Sequence, residues 1–172
     1  DDSISWSSFK AVLIRSPWDY IEKLPEFLSW AKMVSEQSIL LNPLPVITSN
    51  TDKHYLQELR ALGIKTVPSR FIEPEHHAED GLKDFLDAFA HAEFVVKPAV
   101  GAGSKDAQRY GREEIEAALM HIRRMQLKNR STLLQPYLSK VDSAGETALM
   151  YFNGVFSHAI RKGPLLKRNE GP

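Results

Sequence analysis

One segment of the sequence, FVVKPAVGAGS at residues 94–104, combines residue types that can hold a polyphosphate. Three apolar residues run directly into Lys97 and Pro98, and the small residues GAGS follow at positions 101–104. A lysine at the end of a strand offers a compact cation. A loop without bulky side chains lets backbone N–H groups approach phosphate oxygens. The segment therefore predicts a binding site for a nucleoside triphosphate.

The glycine loop differs from the two commonest phosphate-binding motifs. A Walker A loop requires G-x-x-x-x-G-K-[ST], and no glycine precedes Gly103 at that spacing. A dinucleotide fingerprint requires G-x-G-x-x-G, but the third residue after Gly103 is Asp106. A plain turn between two strands is therefore the alternative interpretation of the loop.

Composition sets the limits within which such a site must be built. The chain has 172 residues, which suffices for one ordinary domain or two small ones. Lys plus Arg and Asp plus Glu are equal at 22 each, so nothing favours a nucleic-acid or membrane-surface partner. The absence of cysteine excludes disulfides and thiolate metal sites. Because we find neither a signal peptide nor an apolar run of about 18 residues, we expect a cytoplasmic protein.

Hydrophobic spacing predicts the elements of the first part of the chain. The predictions are a buried strand at residues 9–15, a helix from Tyr20, a proline break at residues 41–45, a helix capped at residues 50–52 that ends at Gly63, and a short strand at residues 64–67. Helices that alternate with strands indicate an α/β arrangement. The chain also begins without Met and stops in loop-like sequence, so we expect a piece of a larger protein.

The second part has a different pattern. The predictions are a polar loop at residues 73–80, helices at 82–91 and 112–128, and strands at 94–97, around 107–110, at 132–135, at 147–152 and at 155–161. The dipeptide Asn153-Gly154 between the last two strands predicts a hairpin with a type I′ turn. We therefore predict α/β followed by α+β, with a first domain at residues 1–66 and a second at 67–172.

Five segments, in this order and at these spacings, resemble the ATP-grasp superfamily of ATP-dependent carboxylate–amine ligases. They are LIRSPWDY at residues 13–20, SNTDKHYLQEL at 49–59, VVKPAVGAGS at 95–104, LLQPYL at 133–138 and GETALMYFNGVFSHAIRKGPL at 145–165. Within the superfamily, the chain is similar to the branch that contains the cyclo-ligase of cycloserine biosynthesis and relatives of glutathione synthetase and ribosomal-protein glutamate ligases. The segments together span nearly the whole chain.

The resemblance implies a role for each matching residue at the nucleotide. It implies a grip on the ATP phosphates by Lys53 and Lys97, under a mobile loop made of Gly101, Ala102, Gly103 and Ser104. It also implies an adenine slot lined by Gln135, Pro136, Tyr137 and Leu138.

Further residues are implied at the reacting end of the site. Glu146 is expected near the ribose or the phosphate and metal end. Either Arg161 or Lys162 is expected to face the γ-phosphate and the acyl phosphate. The resemblance also places a substrate cleft near Arg15, Trp18, Asp19 and Tyr20.

The implied fold is a partial N-terminal α/β domain followed by the small ATP-grasp subdomain that covers the nucleotide, with the C-terminal part missing. The implied cofactors are ATP and Mg²⁺, and the implied partners are a small-molecule carboxylate and an amine, with a homodimer possible and neither nucleic acid nor membrane involved. The family places its metal ligands in a later strand and helix. We therefore expect these ligands beyond Pro172, and we expect that the piece does not turn over by itself.

Three alternatives stay open at this point. The chain can belong to an ATP-grasp enzyme of another chemistry, to a nucleotide-binding regulatory module without catalysis, or to a structural α/β domain. For single residues the alternative is a structural role: a solvated charge for Lys97 and Lys53, satisfaction of backbone groups for Gln135, and packing for Trp18 and Tyr20. His76 and His77 lie in a polar loop without a carboxylate pattern, which argues against a metal site.

Overall fold

The computed structural model of the chain describes residues 4–164 and 166. Backbone contacts divide these residues into two compact units. The first unit contains residues up to 66 together with residues 99–103, and the second contains residues 67–98 and those from 104 onward.

The first unit is an α/β arrangement around a small parallel sheet. Its elements are β1 (Ala11–Leu13), α1 (Leu24–Gln37), β2 (Ile39–Leu41), α2 (Leu44–Asn50) and α3 (Tyr55–Ala61), after a 3₁₀ turn at Trp6–Ser8. Strands β1 and β2 are parallel, with Val12 opposite Leu40. The buried core of this unit consists of Ala31, Val34, Leu40 and Ile47.

Prolines explain where the first unit departs from the sequence-based prediction. The predicted break at residues 41–45 is present, but Pro45 also lies in the first turn of α2, which was not predicted. Proline is tolerated there because the N–H groups of the first turn have no intrahelical acceptor, so the missing N–H of proline removes no hydrogen bond of the helix. The predicted strand at residues 64–67 is wrong. Residues 64–69 have no regular structure, and the next strand begins at Arg70, after Pro68.

The second unit contains a four-stranded antiparallel sheet and a separate hairpin. The sheet has the order β3 (Arg70–Ile72), β6 (Thr132–Pro136), β4 (Glu93–Pro98) and β5 (Gln108–Gly111). The helices are α4 (Ala78–Ala88), α5 (Ile115–Gln126) and the short α6 (Lys140–Ala144), and the hairpin consists of β7 (Glu146–Phe152) and β8 (Val155–Lys162). The unit is thus α+β, and the predicted fold class is confirmed.

The two faces of the four-stranded sheet carry different side chains. Phe94 and Val96 join the buried cluster that α4 and α5 build with Leu134 of β6. Because side chains alternate along a strand, Val95 and Lys97 lie on the opposite face. The strand register puts Gln135 and Arg109 beside Val95 on that opposite face, and Leu133 beside Lys97. We call it the open face of the sheet only to distinguish it from the face that α4 and α5 cover, since Val95, Leu133 and Gln135 on it are themselves buried.

The turn of the hairpin follows the prediction from the dipeptide Asn153-Gly154. Both residues have positive φ, 49° and 77°, which a type I′ turn requires. The hairpin closes at its other end beside Gly145, whose φ is 70° and whose α-carbon faces the carbonyl oxygen of Lys162. A Cβ at Gly145 would lie 2.2 Å from that oxygen, whereas a Cβ at Gly154 would meet nothing within 4 Å.

We therefore predict different costs for two alanine substitutions in the same hairpin. Gly154→Ala should cost about 1–2 kcal/mol in hairpin stability, because only the positive φ is penalised. Gly145→Ala should cost clearly more, since the new Cβ must also displace the backbone at Lys162. Hydrogen exchange of the β7 and β8 amides measures both effects. Equal protection in the two variants would show that the backbone at Lys162 yields freely.

Candidate nucleotide site

Lys97 has an unusual position for a lysine. It occupies the open face near the end of the central strand β4, opposite the fully buried Leu133, and its side chain is itself partly buried. Within the part of the chain that the structure describes, its ammonium group forms no hydrogen bond and no ion pair. Burial lowers the pKa of Lys97, and the negative charge of Glu146 only partly opposes this shift. A cation in this environment is energetically poised to accept an anion.

Glu146 and Lys162 lie together at the open end of the hairpin. They are register partners in β7 and β8, and their charged groups are 3.7 Å apart at half-exposed positions. Arg161 pairs instead with Thr147, so its side chain leaves from the other face of the hairpin. Of the two cations predicted to face the γ-phosphate, Lys162 is therefore the one that shares a face with Glu146.

The predicted adenine segment begins inside the sheet and ends at the surface. Gln135 is 8% exposed, and its side-chain amide donates to Ser69 Oγ at 2.8 Å rather than to the strand-end backbone. Pro136 is buried, and the N–H of Tyr137 donates to the carbonyl oxygen of Glu93 at 2.9 Å. Leu138 is 46% exposed. The chain therefore passes from a fixed strand to an accessible linker within four residues.

Sequence reasoning did not find Arg109, which is the most highly coordinated side chain near that linker. Its guanidinium group donates to both carboxylate oxygens of Glu93, at 3.1 and 2.6 Å, and to Asp142 at 3.0 Å. The same group lies over the ring of Tyr137, 3.6 Å from its centroid. Only the pairing of Arg109 with Val95 reveals this position, because nothing in the local sequence of β5 distinguishes it.

Titration of the side chains around Arg109 reflects these contacts. Hydrogen bonding to Glu93 raises the pKa of Arg109. Burial, together with the hydrogen bond to Asp142, raises the pKa of Tyr137 to about 12. The same hydrogen bond, at 2.5 Å, lowers the pKa of Asp142. Arg109, Tyr137 and Asp142 therefore each keep one protonation state around neutral pH.

The glycine loop has a backbone that few residues adopt. Gly103, Ser104 and Asp106 have φ of 61°, 60° and 56°, in the left-handed region. Asp106 is held there by an ion pair with Arg130 at 2.7 Å. Burial opposes ionisation of Asp106, but the Arg130 hydrogen bond and charge outweigh it and lower the pKa. The left-handed backbone at Gly103 and Ser104 favours small residues, and the role of Gly101, Ala102, Gly103 and Ser104 as a mobile loop over the phosphates stays a prediction.

Lys53 contacts the beginning of the glycine loop within the first unit. Its ammonium group donates to the carbonyl oxygens of Ala99 and Gly101, at 3.0 and 2.9 Å. Its backbone N–H also donates to Ala99, at 3.1 Å. The side chain therefore fixes the entry of the loop, and a direct grip of Lys53 on phosphate stays a prediction.

The residues predicted near a substrate cleft lie after β1. Arg15 and Asp19 are exposed, and Trp18 is 71% exposed, so Trp18 does not have the packing role that was its alternative. Tyr20 does pack, with its ring 5.4 Å from that of Phe27. A role for Arg15, Trp18 and Asp19 in substrate binding stays a prediction.

Two absences concern only the described residues 4–164 and 166. No group of three or more His, Asp or Glu side chains is arranged to hold a metal ion, and His76 and His77 are no exception. None of the helices in the same range has the length and apolar character needed to cross a membrane.

Comparison with known proteins shows what this chain is similar to. The family described as "D-cycloserine synthetase DcsG, N-terminal domain" matches residues 1–42. The cycloserine biosynthesis protein DcsG of Streptomyces lavendulae is 43% identical over 167 residues, which are 96% of this chain and 56% of that protein. The crystal structure of D-cycloserine synthetase DcsG superimposes with a TM-score of 0.90, over 97% of this chain and 57% of that one. The chain is a close homologue of this synthetase.

More distant structures share the fold alone. An ATP-grasp protein with a RimK domain from Sphaerobacter thermophilus is 16% identical, with a TM-score of 0.55 over 76% of this chain and 46% of that one. The biotin carboxylase domain of a 2-oxoglutarate carboxylase from Hydrogenobacter thermophilus is 17% identical, with a TM-score of 0.54 over 76% of this chain and 29% of that one. The chain therefore has an ATP-grasp fold, and it spans just over half the length of the synthetase.

We predict that the substitution Lys97→Met stabilises this protein in the absence of nucleotide. Methionine keeps the length of the side chain without a buried charge, so the free energy of unfolding should rise by about 1 kcal/mol. For a chain of this size the melting temperature should rise by about 2–4 °C. Lys83→Met is the matched control, because Lys83 is exposed and pairs with Asp87 on α4.

The pH dependence should change as well. A lowered pKa means that the folded protein binds the Lys97 proton less tightly than the unfolded chain. The stability contributed at this position therefore increases as pH rises toward the ordinary lysine pKa, and Lys97→Met should lose that increase. Thermal unfolding from about pH 7 to about pH 10 measures it. A Lys97→Met variant that melts below the Lys83→Met control would contradict the assignment.

Proposed function

We propose that the chain contributes the nucleotide-covering part of an ATP-dependent carboxylate–amine ligase. In this reaction a carboxylate oxygen of the substrate attacks the γ-phosphorus of ATP, which releases ADP and leaves an acyl phosphate. The amine of a second group then attacks the acyl carbon, and inorganic phosphate leaves as the amide forms. Because the chain spans 56% of its homologue, this activity is proposed for the complete natural protein.

The observation that carries the proposal is the environment of the Lys97 ammonium group. Its partly buried ammonium group lies on the open face without a hydrogen-bonding or ion-pairing partner among the described residues, and its pKa is lowered by burial. Such a group pays a desolvation cost that a phosphate oxygen would offset.

Neighbouring residues of the second unit support the same function. Lys162, paired with Glu146, supplies a further cation whose charge is partly balanced before any phosphate binds. Cations around a transferring phosphoryl group are what this chemistry requires, since most of the catalysis is positioning and charge stabilisation. We further propose that the main-chain groups of Tyr137 and Leu138 meet the base edge. The predicted roles of Lys53 and of Gly101 to Ser104 remain part of the proposal.

The metal is proposed only at the level of the whole protein. The biotin carboxylase domain that shares the fold was crystallised with MgADP, which supports ATP and Mg²⁺ as the cofactors here. The described residues offer no cluster of ligands for that metal. We therefore propose that its ligands lie outside the described residues.

The substrates are proposed from the homologue. A protein of cycloserine biosynthesis is 43% identical, which supports a small carboxylate and a small amine-type nucleophile as substrates. Ring closure is the case in which both groups belong to one molecule. We propose this intramolecular reaction as the first one to examine.

Calorimetric binding of MgATP to the complete natural protein tests the central assignment. Lys97→Ala should weaken binding about ten- to a hundredfold, since a charge-assisted contact worth roughly 1.5–3 kcal/mol is lost. The control Lys83→Ala removes an equally charged side chain from an exposed surface of the same unit, and it should leave affinity within about twofold. Unchanged binding by a folded Lys97→Ala variant would remove the main support for the proposal.

Product analysis separates the proposed ligase from its alternatives. A ligase should release ADP and phosphate over repeated turnovers only when both the carboxylate and the nucleophile are present, on one molecule or on two. Repeated release of ADP with a carboxylate that carries no nucleophile, or with bicarbonate, would favour another ATP-grasp chemistry. Binding of MgATP without any ADP release would favour a regulatory module.

A further inference from the structure

Arg109 connects three parts of the second unit that are separate in the sequence. Glu93 begins β4, Tyr137 follows β6, and Asp142 lies in the short helix α6. The guanidinium group of Arg109 contacts all three, and its side chain is only 10% exposed. Among the described residues, the network joins four side chains, and the proposed chemistry assigns no role to Arg109 itself.

The contacts form closed cycles rather than a chain. The hydroxyl of Tyr137 donates to Asp142, and the N–H of Tyr137 donates to the carbonyl oxygen of Glu93. Arg109 thus holds the ring face of Tyr137, while Asp142 and Glu93, which also bind Arg109, hold its hydroxyl and its backbone N–H. Such coupling leaves the Tyr137 ring and the adjacent backbone little freedom to rotate.

The electrostatics show that this arrangement is more than a surface ion pair. Two carboxylates meet one guanidinium, and the side chain of Glu93 is only 19% exposed. A planar guanidinium can donate bidentate hydrogen bonds from its edge and lie with its face over an aromatic ring at the same time. A lysine could supply the charge but neither the fork nor the stacking surface.

We propose that Arg109 is a positioning residue for nucleotide recognition, which sets the conformation of the linker at Tyr137 and Leu138. The inference rests on the proposed function, in which the main chain of this linker meets the base edge. Arg109 would not contact the nucleotide. Arg109 would affect recognition of the base only. It would not affect binding of the phosphates, which we assign to Lys97 and Lys162.

Three ligands separate these contributions in the complete natural protein: MgATP, MgGTP and inorganic tripolyphosphate. Arg109→Met should weaken MgATP binding about tenfold and reduce the preference for MgATP over MgGTP. It should leave tripolyphosphate affinity within about twofold, because the phosphate-binding lysines are untouched. Arg109→Lys should restore little of the loss, since it lacks the fork and the stacking surface.

The control is Arg70→Met in β3 of the same sheet, which breaks an exposed ion pair with Asp84 of α4 and should change neither affinity nor preference. If Arg109→Met fails to fold, Arg109→Lys and Tyr137→Leu carry the same comparison. A parallel loss of MgATP and tripolyphosphate binding would indicate a structural role and overturn the inference. So would an unchanged preference for MgATP over MgGTP.

Failure of the proposed function would look different. If wild-type protein binds neither MgATP nor tripolyphosphate, the nucleotide site itself is refuted, and the inference falls with it. If wild-type binds MgATP and Lys97→Ala weakens it while Arg109→Met does not, only the role of Arg109 is refuted.

Discussion

The alternation of side chains along β4 is the constraint on which the second unit depends. Phe94 and Val96 must enter the core that α4 and α5 cover, so Val95 and Lys97 must point the other way. A shift of one residue in the register would put the ammonium group into the core and an apolar side chain on the open face. The strand that stabilises the fold therefore also fixes the position of the cation.

Charge on the open face is distributed unevenly, although the chain as a whole is neutral. Arg109 meets two carboxylates and an aromatic ring, whereas Lys97 meets no hydrogen-bonding partner among the described residues. Both cations are partly or largely removed from water. The charge of Arg109 is compensated by ion pairs within the protein. Within the described part of the chain, the charge of Lys97 is opposed only by the nearby charge of Glu146, and we propose that a ligand supplies the remaining compensation. This contrast distinguishes a side chain that organises the fold from one that is available for binding.

Sequence patterns predicted the elements whose signals are local. The Asn153-Gly154 turn, the strand before Lys97 and the apolar stripe of α5 each depend on a few neighbouring residues, and the structure contains all three. Helix α2 was missed because Pro45 also serves as a first-turn residue. Arg109 was missed because its partners lie 16 and 33 residues away, so that only the strand register and the position of α6 bring them together. Pairings over such distances leave no spacing that a sequence can display.

The hairpin and the sheet of the second unit differ in how far apart their partners lie along the chain. Strands β7 and β8, which pair Glu146 with Lys162, are joined by one tight turn. Strands β4 and β6 also pair, but β5 and the whole of α5 lie between them in the sequence. Closing a short loop costs little entropy and a hairpin forms within microseconds, while long-range pairing is slower. The order of folding events should therefore begin with the hairpin. On this order, Lys162 would already lie beside Glu146 before β6 pairs with β4.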